Sequence, residues 1–296
     1  MREIRKNIVL KGMSGFFQVL LHSGKIVTAK PRGKLKANGK IITGDYVELV
    51  PDEYSSGEYI ITALNKRKNS ITRPYVANID QLVVIIGIEP KPDLYLIDKL
   101  LINCVLKGIS PLLVINKEDI SSSDFIDNII SQYGKLTNII LCSARTKKGI
   151  DKLVDNLRGK LNVFTGQSAV GKSTILNAIN KDLNIETGEL SEKVKRGKNT
   201  TRTSQIYLFE DMMIADTPGF SMLELKDIKP QDLSSYFIDF DEYRSKCRYK
   251  NCSHINTPAK DCGVIKAVED GNLPGERYNR YVDIYNELKT AWDKKF

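Results

Sequence analysis

Leu161-Asn-Val-Phe-Thr-Gly-Gln-Ser-Ala-Val-Gly-Lys-Ser-Thr174 runs from an apolar segment, through a glycine-flanked turn, into a helix-forming segment. Residues Gly166 to Thr174 match G-x-x-x-x-G-K-[ST] in full, at the strand–helix junction where that pattern has physical meaning. The glycines let the backbone curl so that successive N–H groups point at one anion, and the following helix adds its positive end. Gly166, Gln167, Ser168, Ala169, Val170, Gly171, Lys172, Ser173 and Thr174 are therefore expected to cradle phosphates. Lys172 would reach the β- and γ-phosphates, and the Ser173 hydroxyl would ligate Mg²⁺.

The same alternation of strand and helix extends upstream. Gln81-Leu-Val-Val-Ile-Ile-Gly, Pro111-Leu-Leu-Val-Ile-Asn and Asn138-Ile-Ile-Leu-Cys are apolar runs separated by helical stretches at Tyr95–Lys107 and Asp124–Tyr133. Continuous apolar runs suit parallel strands buried on both faces, so the pattern predicts a doubly wound α/β domain. Downstream, strands are expected at Gln205–Glu210 and Met212–Asp216.

Asn116-Lys-Glu-Asp119 closes the second of these runs and has the Asn-Lys-x-Asp form of guanine-specific sites. Guanine presents two adjacent donors that one carboxylate, Asp119, can accept together; adenine would leave that carboxylate unpaired. Lys117 can pack its stem along the purine, and Asn116 can tie neighbouring loops. Ser143-Ala144, after the third run, matches the loop whose backbone contacts guanine. Met212-Met-Ile-Ala-Asp-Thr-Pro-Gly219 ends in Asp-x-x-Gly, with Asp216 placed to hold Mg²⁺ through water and Gly219 to sense the γ-phosphate. The base-reading motifs thus precede the phosphate loop, the reverse of the usual order. The same sheet can form if the old termini are joined and a new break is opened.

Two further regions flank this domain. Residues 1–75 hold 14 Lys/Arg against 6 Asp/Glu, so they carry nearly all of the chain's net charge of +9. That concentration points to a polyanion partner. Short strands at Ile8–Leu10, Phe16–Leu21, Lys25–Ala29, Asp45–Val50 and Tyr59–Leu64 fit a small barrel, with the OB-fold favoured over an SH3-like alternative. Near the other end, Cys247-x4-Cys252-x-His254-x7-Cys262 supplies three thiolates and an imidazole, a closed tetrahedral set for structural Zn²⁺. A final amphipathic helix carries Tyr278, Tyr281, Val282, Tyr285, Leu288 and Trp292 at helical spacing. No apolar run approaches the ~18–20 residues of a membrane span, and the N-terminal segment has no secretory pattern. A cytoplasmic protein without a membrane partner is expected, and nothing demands more than a monomer.

Together, the permuted order, the N-terminal barrel and the Cys/His cluster resemble the RsgA family of small-ribosomal-subunit-dependent GTPases. Gly44-Asp-Tyr-Val, Arg67-Lys-Asn-Ser-Ile-Thr-Arg-Pro74 and Ala77-Asn-Ile-Asp-Gln-Leu82 carry the resemblance further. It implies an α/β fold: a circularly permuted P-loop GTPase domain (71–225), an OB-fold RNA-binding barrel (1–70) and a helical zinc-binding domain (226–296). It also implies GTP hydrolysed to GDP, one Zn²⁺, and the small ribosomal subunit and its rRNA as partner. Lys195-Arg-Gly-Lys-Asn-Thr-Thr-Arg202 resembles the family's switch I, where Thr201, with Thr200 as the alternative, would join Ser173 on Mg²⁺. Asn199 stands where the family usually has histidine, and Phe220 where many GTPases orient water with glutamine. Slow intrinsic turnover is expected. An RNA-binding scaffold with a structural nucleotide, or a GTPase of the large subunit, are the competing readings.

Overall fold

The computed structural model describes residues 6–33, 40–55, 57–72, 75–180, 204–216, 225 and 228–294. The chain forms two compact units: Met1–Pro92 with Lys107–Ile120 and Ile140–Met222, and Asp93–Leu106 with Ser121–Ile139 and Leu223–Phe296.

In the first unit, β1 (Asn7–Met13), β2 (Phe16–Leu20), β3 (Ile26–Pro31), β4 (Tyr46–Pro51) and β5 (Glu58–Leu64) form the N-terminal barrel. Neighbours run antiparallel except β3 and β5, which pair in parallel, and β1 returns to β4 to close the ring. That single parallel pairing gives the strand order 1-2-3-5-4-1 of the OB-fold and removes the SH3-like alternative. Val9, Val19, Val27, Ala29, Val47 and Ile61 fill the interior, while alternate residues face out. Register shifts at Val9/Lys11 and Glu48/Leu49 let β1 and β4 bend around the ring.

β6 (Ser70–Thr72) and β7 (Tyr75–Ala77) make a short hairpin leading to β8 (Gln81–Ile86). Here the stretches Gly44–Val47, Arg67–Thr72 and Ala77–Leu82 become one hydrogen-bonded seam. Asn78 Nδ2 donates to Gly44 O (2.9 Å), the Lys68 amide donates to Asn78 Oδ1 (3.0 Å), and Asn69 exchanges bonds with the Ile79 backbone. Buried Asp45 accepts Arg67 Nε at 2.6 Å. At Gly44 (φ +86°) a Cβ would lie 2.2 Å from Ala77 O, so no other residue fits. Packing thus gives these three stretches a structural role.

The nucleotide-domain sheet continues from the barrel in one surface. Its order is β10 (Asn138–Leu141), β9 (Ser110–Ile115), β8, β11 (Leu161–Gly166), β13 (Met212–Asp216), β12 (Gln205–Phe209) and then β1. β9, β8, β11 and β13 are parallel, and every residue of β8 is buried, as the apolar runs predict. Helices α3 (Ile150–Leu157) and α4 (Lys172–Ile179) bury Leu153, Leu157, Ile175 and Leu176 in its core. The β6–β7 hairpin and α3 are additions to the elements read from sequence.

The second unit comprises α1 (Leu94–Lys107), α2 (Ser123–Tyr133), short helical turns at Pro230–Tyr236 and Ile238–Phe240, α5 (Asp241–Arg244), α6 (Gly263–Glu269) and α7 (Gly275–Asp293). Of the expected α7 stripe, Tyr281 and Leu288 are in the core and Tyr278, Val282 and Tyr285 pack on its edge. Tyr281 meets Phe237 and Phe240 edge-on at 5.0 and 4.9 Å between ring centres. No described helix is long and apolar enough to cross a membrane.

The same unit buries an ionic network. Arg277 bridges Asp98 and Asp239 (Nε–Oδ2 2.6 Å), and Arg280 holds the second Asp98 oxygen at 2.6 Å. Both Arg277 and Asp98 are almost fully buried. Arg277→Leu, which strands Asp239 and half of Asp98, is expected to cost about 3–5 kcal/mol. Urea unfolding followed through Trp292, the chain's one tryptophan, checks this.

Candidate functional site

β8, β9 and β11 are parallel, so their carboxyl ends deliver loops to one edge of the sheet. Gly166 ends β11 beside Ile85, and a Cβ there would lie 2.5 Å from Ile85 O. Ala169 (φ 66°) and Gly171 (φ 92°) turn the chain back into α4, whose first turn holds Lys172, Ser173 and Thr174. Val170 points inward and anchors the loop in the core. Ser168 and Ala169 are exposed, while Gln167, Lys172 and Ser173 are half-buried.

Asn116 sits against this loop. Its Nδ2 donates to Val170 O (2.8 Å), and its Oδ1 accepts the Ala144 amide (3.1 Å). A Cβ on Gly171 would stand 2.3 Å from that Nδ2, so the second glycine of the motif makes room for the asparagine. Lys117, itself at φ 61°, donates to Ala169 O (3.0 Å) and Glu89 O (2.8 Å). Its ammonium thus grips the phosphate loop, a contact beyond the purine-facing stem read from sequence.

Asp119 lies on the 3-10 turn Glu118–Ile120 and accepts the Arg145 guanidinium. The neighbouring Ser143 hydroxyl, foremost, and the Arg145 guanidinium hold its carboxyl below the usual carboxylate range. Ser143 is buried, its Oγ accepting the Thr146 amide (3.1 Å) and its amide bonding Lys148 O (2.9 Å). Lys148 also pairs with Glu118 at 2.7 Å. Arg145 and Lys148 were not singled out from sequence; a basic residue directly after Ser-Ala was the available signal.

Asp216 ends β13, the strand parallel to β11, with Ala215 opposite Val163. Its backbone is therefore delivered to the sheet edge that carries the phosphate loop. Thr200, Thr201, Asn199, Gly219 and Phe220 lie outside the described residues.

A separate centre lies in the second unit. Ligand atoms of Cys247, Cys252, His254 and Cys262 all fall within 4.8 Å of one another. Cys247 Sγ and Cys262 Sγ are each 3.5 Å from His254 Nδ1 and 3.9 Å from each other. A zinc tetrahedron with Zn–S of about 2.3 Å and Zn–N of about 2.0 Å has edges of about 3.5 Å (S–N) and 3.8 Å (S–S). The donor set and its spacing therefore fit Zn²⁺. Backbone amides of His254, Gly263 and Ile265 lie 3.3–3.4 Å from the three sulfurs, the partners that thiolates require. Burial lowers His254 to a pKa of about 4, so the imidazole is neutral and available to a metal. Burial also pushes the Cys262 thiol up to about 12, a tendency that a bound cation reverses.

Comparison with known proteins agrees with this architecture. A family model described as RsgA GTPase matches residues 62–226, and one described as RsgA N-terminal domain matches residues 6–60. A protein of Thermotoga maritima named small ribosomal subunit biogenesis GTPase RsgA is 39% identical over 272 residues, covering 90% of each chain. A protein of the same name from Alkaliphilus metalliredigens is 36% identical over 288 residues, covering 96% of this chain and 98% of that one. Among solved structures, YjeQ from Thermotoga maritima superposes with a TM-score of 0.83 at 36% identity, over 96% of this chain and 98% of that one. YloQ, described as a circularly permuted GTPase, gives 0.80 at 29% identity, over 98% and 97%.

Proposed function

This chain belongs to the RsgA family of GTPases, and we propose from that premise that it hydrolyses GTP to GDP and phosphate when stimulated by the small ribosomal subunit, late in that subunit's assembly. The observation that carries the reading is the pair of side chains Asn116 and Lys117, bonded to Val170 O and Ala169 O across more than 50 residues of sequence. Base-reading and phosphate-binding segments in reversed order thereby belong to one site.

Within it, Asp119 accepts the two donors of guanine and the 143–144 loop backs the base. Backbone N–H groups from Gly166 to Ser173, with the Lys172 ammonium, hold the phosphates. Ser173, Thr201 and the water-mediated Asp216 are the residues to hold Mg²⁺, which when bound neutralises charge on the transferred phosphoryl group. Gly219 senses the γ-phosphate. The basic barrel supplies phosphate-backbone contacts to rRNA, and the zinc centre stiffens a second RNA-facing module. In this reading 1–70, 71–225 and 226–296 divide the labour as RNA barrel, GTPase and zinc domain, in a cytoplasmic monomer.

Phosphate release from GTP is measured with protein alone, with small subunits and with large subunits. Stimulation of at least about tenfold by small subunits alone, lost in Lys172→Ala, is expected. Stimulation by large subunits instead, or tight GTP binding with no stimulation by either, overturns the proposal.

A further inference from the structure

Building on the assignment of Asp119 as the guanine acceptor, the geometry points to Arg145 as a built-in competitor for that carboxylate, whose guanidinium the guanine edge must displace. Arg145 Nη2 donates to Asp119 Oδ2. The arginine side chain is 75% exposed, whereas the aspartate is only 16% exposed. The arginine therefore closes the open side of an otherwise enclosed acceptor.

The chemistry of the two ligands is alike. Guanine offers its N1 hydrogen and 2-amino group from one carbon, which makes that edge a cyclic guanidine. An arginine side chain presents the same pair of N–H donors, with a positive charge added. A carboxylate built to accept the first accepts the second, and it cannot hold both.

Exchange requires little movement. The 143–148 loop keeps its own ties when Arg145 leaves: Lys148 to Glu118 (2.7 Å), the Ala144 amide to Asn116 (3.1 Å) and the Thr146 amide to Ser143 Oγ (3.1 Å). Rotation of one exposed side chain opens the acceptor. Arg145 thus sets how tightly guanine nucleotides are held and keeps the acceptor from standing unpaired between turnovers.

GDP affinity is measured by calorimetry for the wild type, Arg145→Ala and Arg145→Gln, each with and without Asp119→Asn. Both arginine variants are expected to bind GDP about two- to fivefold more tightly, the range of an exposed ion pair. The gain should vanish in the Asp119→Asn background, because the competitor then has no carboxylate to hold. Unchanged or weaker GDP binding in both arginine variants, with Asp119→Asn alone still losing GDP, overturns the competitor role and leaves the base-reading site intact. If Asp119→Asn alone binds GDP as the wild type does, the guanine assignment itself is wrong, and the inference falls with it.

Discussion

Stripping the metal with a strong chelator, or replacing Cys262 by Ser, will unfold the second unit while the first retains its structure. Structural zinc in small domains contributes about 10–16 kcal/mol of apparent binding free energy near neutral pH, and that free energy is coupled to folding. The coupling here can be followed residue by residue. Cys252 and His254 lie on a turn with His254 at φ 57° and Asn256 at φ 52°, left-handed positions that Asn and His tolerate better than most residues. Tyr278 and Tyr281 donate to His254 O (2.7 Å) and Ser253 O (2.6 Å) from the core helix. Loss of the metal releases the turn and leaves the buried Tyr281 hydroxyl without its acceptor. Elemental analysis should give one zinc per chain. Trp292 emission should lose its cooperative transition on chelation, while barrel and sheet keep their far-ultraviolet signal. A metal-free protein with an unchanged Trp292 transition would refute the structural role.

Asp119→Asn should exchange guanine for xanthine. The carboxylate offers two acceptors to guanine's two donors. An amide offers one acceptor and one donor, which suits the N1 hydrogen and 2-oxo group of xanthine. Guanine's amino group then faces an NH₂ group. The expected loss of GDP affinity is about two to three orders of magnitude, the scale for removing one partner of a buried charged hydrogen bond. Xanthosine diphosphate should gain what GDP loses. Parallel titrations with the two nucleotides check both halves.

The candidate site could be assembled from sequence because its parts are local. A phosphate loop, Asn-Lys-x-Asp and a Cys/His spacing each lie within a few residues, and β8 is a run of six buried residues with no polar face. Their reversed order is itself a sequence fact. What escaped the reading depends on distance or brevity. The β6–β7 hairpin has strands of three residues, too short to show a period. α3 has eight residues and enters from Gly149 without a side-chain cap, so it announces itself weakly. The choice between barrel types rested on the parallel β3–β5 pairing, which sequence alternation does not encode. Arg277 lies at helical spacing with Tyr281, Ile284 and Leu288 on the buried face of α7, but its charge gives no sign of burial in sequence because its partner Asp98 stands 179 positions away. Arg145 belongs to no motif, and its carboxylate partner Asp119 stands 26 positions away. The switch I threonines and Phe220 lie outside the described residues, so their roles stay with the sequence reading.

The central claim is that Asn116–Asp119 and Gly166–Thr174, although reversed along the chain, hold one guanine nucleotide between them. Calorimetric titration of the wild type with GDP and with ADP, under identical Mg²⁺ and salt, tests it most directly. The account predicts one GDP per chain, with ADP weaker by at least about a thousandfold. Equal affinity for the two would mean that the phosphate loop binds without base reading, and would contradict it.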